Sequence, residues 1–157
     1  MRLRRRRLPP ELQPAFDAFV SVVAAVERGK AALTESVPST RFAGRPLAET
    51  LHEFERELTG ADAGMPSWRR PEVLAAWEAA DAGLRTAREL AARLRLEAPH
   101  PGGFEGLIGL IGDLLHPLEV FGDAGDAWSR LRVLGRRGPA ERTRRKGRAE
   151  RWSAPGG

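Results

Sequence analysis

The sequence predicts an all-α protein: a four- to five-helix bundle, its last long helix broken at Pro117, between flexible basic ends. Three observations predict it. Apolar residues recur at steps of three and four over residues 10–134. No stretch alternates with period two for the length of a strand. Prolines and glycines stand where the apolar stripes stop. Helices that carry such stripes and are joined by fairly short links bury them against one another.

The first helix is predicted from Pro10 to Val37, with Leu12, Phe16, Phe19, Val23, Val26, Leu33 and Val37 on one face and Lys30 in the single polar place. Pro10 or Pro14 fits its first turn, where a missing N–H removes no helical bond. Pro38 ends it, and the loop Ser39–Arg45 follows. Pro46 opens a second helix on Leu47, Leu51, Phe54 and Leu58, which Gly60 is expected to close. Residues 60–70 then read as a long loop. Pro71 opens the third helix on Val73, Trp77, Ala80, Leu84, Ala87, Ala91, Leu94 and Ala98, and the run PHPGG ends it.

The fourth helix begins near Gly103. Pro117 lacks the N–H of an ordinary helical residue and crowds the preceding turn, so this helix kinks or restarts there. A fifth segment continues on Leu118, Phe121, Ala124, Trp128, Leu131 and Leu134. Beyond it the apolar period vanishes. The division is thus a basic N-terminal arm over 1–9, a helical domain over 10–134 and a disordered Arg-rich tail over 135–157.

The stretch FEGLIGLIGDLLHPLEVF, residues 104–121, carries glycine at every third place: Gly106, Gly109 and Gly112. At about 100° per residue, Phe104, Leu107, Ile108, Leu110, Ile111, Leu114, Leu115, Leu118 and Phe121 share one arc. That arc reads as a complete core face. The glycines lie opposite it, beside Glu105, Asp113, His116 and Glu119. Each glycine costs a helix about 0.8–1 kcal/mol against alanine. A bare helix face admits close approach of another backbone, so Gly106, Gly109 and Gly112 are candidate helix-contact residues, in a homodimer or with a protein partner.

Charge is sorted along the chain. Of 26 basic residues 24 are Arg, a bias that a GC-rich bacterial genome imposes, and the chain carries +5 overall. Residues 1–8 hold +5 and residues 135–157 hold +6, which leaves −6 for residues 9–134. One genome encoded all three pieces, so codon bias does not explain the sorting. Arg4, Arg5, Arg6 and Arg7 at one end, and Arg142, Arg144, Arg145, Lys146, Arg148 and Trp152 at the other, are the candidate polyanion-binding residues. Guanidinium groups bond phosphate in a two-pronged fashion and stack on bases, as an indole does.

Other chemistries find less support. The chain has no cysteine, which excludes disulfides, thiolate metal sites and a thiol nucleophile. No serine sits in a nucleophile elbow, and no glycine-rich segment matches a phosphate loop. Glu49-x-x-His52 and Asp113-x-x-His116 have the spacing of di-metal ligands in helical bundles, but both pairs oppose the apolar stripe of their own helix. His100 stands between two prolines. Glu11 and Asp17 interrupt the apolar start, so no secretory signal is expected, and no apolar run is long enough to span a membrane.

The expected function is therefore that of a non-enzymatic, cytoplasmic binding or adaptor protein. Its body meets a protein partner or a second copy, and its Arg-rich ends meet a polyanion such as nucleic acid or a ribonucleoprotein. No cofactor, metal, membrane or small-molecule substrate is implied. The alternative is a metal-dependent helical enzyme built on Glu49/His52 and Asp113/His116.

Overall fold

A computed structural model of the 157-residue chain describes residues 6–97 and 101–134. The fold is all-α. In chain order it has β1 (Arg6–Arg7), α1 (Gln13–Thr34), α2 (Leu47–Gly64), α3 (Leu74–Glu97), α4 (Phe104–Leu115), α5 (Val120–Arg130) and β2 (Val133–Leu134). Short 3-10 turns precede α1 and α3, follow α2, and join α4 to α5 through His116–Glu119. α1 packs most extensively on α2, and α3 packs on α2 and α5.

The buried line of α1 is Leu12, Ala15, Phe19, Val22, Val26, Gly29 and Leu33. It steps by three and four like the expected stripe, but rotates toward smaller residues. Phe16 and Val23 flank the core rather than fill it. The reason is the closeness of α2: at Gly29 an added Cβ would lie 3.3 Å from Phe54 Cδ2, and at Gly64 on α2 it would lie 2.7 Å from Val22 Cγ2. Small residues along this seam let the two longest-packed helices touch.

The expected loop over residues 60–70 is instead folded. α2 runs through Gly60 to Gly64, and a 3-10 turn carries Met65–Trp68. Its apolar line continues as Leu58, Ala61, Met65 and Trp68, all at most 2% exposed. Gly60 meets open space among the described residues and so weakens the helix without ending it. Trp68 sits in an aromatic cluster. Its ring is 4.9 Å from that of Phe19 and 6.5 Å from that of Trp77, both tilted edge to face. Trp77 Nε1 donates to the Met65 carbonyl at 2.8 Å, which ties α3 to the end of α2.

Along α3 the buried positions are Ala80, Leu84, Ala87 and Ala91, with Val73 in the turn before it and Trp77 and Leu94 half-buried at its rim. After α3 the chain reverses through Gly102 and Gly103, whose φ values of +72° and +116° suit residues without a side chain. α4 then buries only Leu107, Ile111 and Leu114, and the line passes on to Leu118 and Phe121. The full core face expected of residues 104–121 is corrected here. Phe104 and Ile108 are 57% and 43% exposed, because α4 lies at the margin of the bundle and none of the described residues covers its outer flank.

The glycine that does permit a close approach is on another helix. An added Cβ at Gly83 of α3 would collide with the Pro117 carbonyl oxygen and lie 2.7 Å from Val120 Cγ2. Pro117 interrupts the α4–α5 path, and the turn it creates presses its carbonyl into the notch that Gly83 leaves. The N-terminal arm is also partly folded: Leu8 is buried in the core, so the domain begins before residue 9.

Candidate functional site

Three regions of the described surface gather functional groups. The first is the pole where the chain enters and leaves the bundle. Arg6 pairs with Leu134 and Arg7 with Val133 in a two-residue antiparallel ladder. Beneath it, Arg132 places its guanidinium 5.3 Å from the ring centre of Phe16, whose ring lies 5.5 Å from that of Trp128. Leu8 and Leu12 are buried beside this aromatic group in the same core. Of the candidate polyanion-binding residues, Arg7 is exposed and Arg6 is placed by its backbone pairing. Arg4, Arg5, Arg142, Arg144, Arg145, Lys146, Arg148 and Trp152 lie outside the described residues.

The second region is the groove between α2 and α3, with a volume of about 500 Å³, lined by Glu55, Thr59, Asp62, Asp81, Arg85, Arg88, Glu89 and Ala92. Its charges largely satisfy one another. Arg88 meets Asp62 at 2.9 Å, Arg85 meets Asp81 at 2.8 Å, and Arg95 reaches Glu55 at 3.2 Å. The Arg88–Asp62 and Arg95–Glu55 pairs brace α3 against α2, while Arg85–Asp81 lies within α3.

The third is the loop after α1. Ser39 Oγ accepts from the backbone N–H of Arg41 and Phe42, so the loop presents Phe42 to solvent, 75% exposed. A hollow of about 490 Å³ opens behind it, lined mainly by Val37, Phe42, Ala43 and Gly44. Arg45 anchors the loop to the bundle. Its guanidinium bonds Glu53 in two-pronged fashion, at 3.0 and 2.6 Å, and reaches Glu35 at 2.6 Å. Glu49 lies 3.8 Å away. These hydrogen bonds raise the pKa of Arg45 and hold the Glu53 carboxyl below its ordinary range.

A folded-state pKa below the unfolded one means that Glu53 stabilises the fold above the unfolded carboxylate value of about 4.3, and that this contribution is lost as pH falls through the folded value. Glu53→Gln is therefore expected to lower the melting temperature at pH 7. The gap from the parent should shrink as pH drops below about 4 in thermal melts followed by circular dichroism. A gap that widens on acidification would contradict the pairing.

The residues of the metal reading are placed apart from the core. Glu49 and His52 are exposed on α2, where Glu49 lies beside Arg45. Asp113 and His116 are exposed, and His116 Nδ1 lies 3.3 Å from Glu119. Among the described residues no group of three or more Asp, Glu or His gathers as a metal site would require. His100 lies outside the described residues.

The helix-contact glycines divide. Gly106 is needed within the chain, because an added Cβ would strike the Pro101 carbonyl. Gly109 and Gly112 face open space among the described residues, beside the exposed Phe104 and Ile108. Sequence reasoning missed the pairing of Arg6–Arg7 with Val133–Leu134, since two residues are too few for a period-two signal. No described helix is long and apolar enough to cross a membrane. The chain matches no protein-family model, no characterised protein and no solved structure.

Proposed function

We propose that this chain is a non-enzymatic, cytoplasmic bacterial binding protein whose Arg-rich ends engage a polyanion, nucleic acid or a ribonucleoprotein. Its helical body, with four to five helices between flexible basic tails, meets a protein partner or a second copy. The carrying observation is how the chain distributes its cations. In the body, Arg28, Arg45, Arg85, Arg88 and Arg95 each reach a carboxylate on another part of the fold or on their own helix. The ends instead hold thirteen Arg and Lys against two Glu. A body that is net −6 and pairs many of its own cations leaves the ends as the source of attraction for anions. Gly109 and Gly112, which meet nothing within 4 Å among the described residues, are the face of the body offered for close helix contact.

A fluorescently labelled oligonucleotide titrated with the full chain tests the reading. If about six cations meet phosphates, the logarithm of affinity should fall with the logarithm of salt at a slope near −5. Binding should vanish when residues 1–5 and 135–157 are both removed. Salt-independent binding, or binding that survives the double truncation, would overturn it.

A further inference from the structure

The loop over residues 35–46 joins α1 to α2 and is tied into one shape. The Ser39 N–H donates to the Phe42 carbonyl at 2.8 Å, and the Phe42 N–H donates back to the Ser39 carbonyl at 3.3 Å. The Arg45 N–H donates to the Glu35 carbonyl at 2.9 Å. Gly44 has a φ of +81°, and a Cβ there would lie 2.6 Å from the Ser36 carbonyl oxygen, so the chain folds back tightly on the end of α1.

Arg41 and Phe42 project from this fixed loop, both of them exposed. Arg41 makes no ion pair among the described residues. Next to them is the hollow of about 490 Å³ that Val37, Ala43 and Gly44 line together with Phe42, with Glu35 and Arg45 at its edge. A cavity of about 150 Å³ already admits a benzene ring. At that edge three carboxylates, those of Glu35, Glu49 and Glu53, close on the single guanidinium of Arg45, which leaves surplus negative charge there.

We propose that this loop is a self-association surface: two copies meet about a twofold axis, each setting Phe42 into the other's hollow and Arg41 beside the other's Glu49. The argument is complementarity of shape and of charge. One loop carries a projecting ring and a cation without a carboxylate partner, next to a hollow with negative charge to spare. A second copy supplies both complements at once, as the self-complementary contact of a twofold dimer requires. The two Phe42 rings then meet near the axis, where offset or edge-to-face contact adds to burial. Glu49 is the acceptor because it lies 3.8 Å from Arg45, whereas Glu35 and Glu53 are hydrogen-bonded to it at 2.6 Å. The loop holds its shape before contact, so association orders little. One loop offers a small patch, which makes the dimer a weak one. No residue of the Arg-rich ends takes part, so the proposal stands apart from the polyanion reading.

The test is sedimentation equilibrium of the nuclease-treated full chain from about 10 to 500 µM, the range for a weak interface. The parent should show a monomer–dimer equilibrium. Phe42→Ser should weaken it about tenfold without lowering the melting temperature, since the side chain lies in solvent in the single copy. Arg41→Glu and Glu49→Arg should each weaken association, because like charges then face each other across the axis. Mixed in equal amounts, these two variants should associate about as well as the parent, since each restores opposite charges to the other.

A parent that stays monomeric throughout would overturn the proposal and leave the loop to a different protein. A dimer that survives Phe42→Ser at full strength would also overturn it. If Gly109→Leu dissolves that dimer instead, the contact belongs to α4. Failure of the mixed charge variants to associate would show that the twofold pairing of Arg41 with Glu49 is wrong.

Discussion

Replacing Trp68 by alanine is expected to destabilise the protein by about 3–5 kcal/mol, the range for removing a fully buried aromatic side chain. Trp68 has no exposed surface, and its ring meets Phe19 on α1 and Trp77 on α3. Its indole N–H is directed at Met65 Sδ, 3.3 Å away. The substitution thus opens a cavity where three helices converge rather than trimming one edge. Chemical denaturation followed by circular dichroism measures the loss. A cost under about 1 kcal/mol would mean that residues 65–68 do not pack as described.

Gly83→Ala should destabilise by about 1–3 kcal/mol, whereas Gly109→Ala should be neutral or stabilise by up to about 1 kcal/mol. Both glycines lie inside helices, where alanine has the better propensity. The difference is space. At Gly83 the added methyl meets the Pro117 carbonyl, a backbone atom that cannot swing aside, and Val120 beside it. At Gly109 nothing lies within 4 Å among the described residues. Denaturation midpoints of the two variants measured side by side check the contrast. If Gly83→Ala is as stable as the parent, the Pro117 turn does not seat in that notch. Gly109→Leu adds a further reading: if the body packs a partner helix against this face, it should abolish association without lowering the melting temperature.

Much of the fold was legible in the sequence, and the failures share a cause. The stripe of α3 was readable because Ala80, Leu84, Ala87 and Ala91 keep one phase throughout and face neighbours on both sides. On α1 the period was readable and the phase was not. The larger apolar residues Phe16 and Val23 suggested one line, but close approach of α2 favoured Ala15, Val22 and Gly29. Gly60 looked like a helix end because propensity alone marks it so; burial of Ala61, Met65 and Trp68 outweighs that local cost. On α4 hydrophobicity was readable but coverage was not, since no periodicity states which neighbours a helix has. Phe104 and Ile108 belong to the apolar arc and remain exposed.

The candidate site divides in the same way. Clusters of arginine at the two ends are plain in the sequence, because charge needs no fold to be counted. The pairing of Arg6–Arg7 with Val133–Leu134 is not, because it is a ladder of two residues on each strand whose partners are separated by the whole bundle. The anchor at Arg45 was equally hidden. It needs Glu35 from the end of α1 and Glu53 from the middle of α2 to arrive at one guanidinium, which only the path of the loop arranges.

The most direct test of the account is a nuclear magnetic resonance titration of the isotopically labelled full chain with oligothymidylate. Cross-strand contacts between Arg6 and Leu134 and between Arg7 and Val133 should be present in the free protein. On titration, residues of the Arg-rich ends should shift and saturate at affinities that weaken as salt rises, while the groove between α2 and α3 stays unchanged. Ends that do not shift, or shifts centred on that groove, would contradict it.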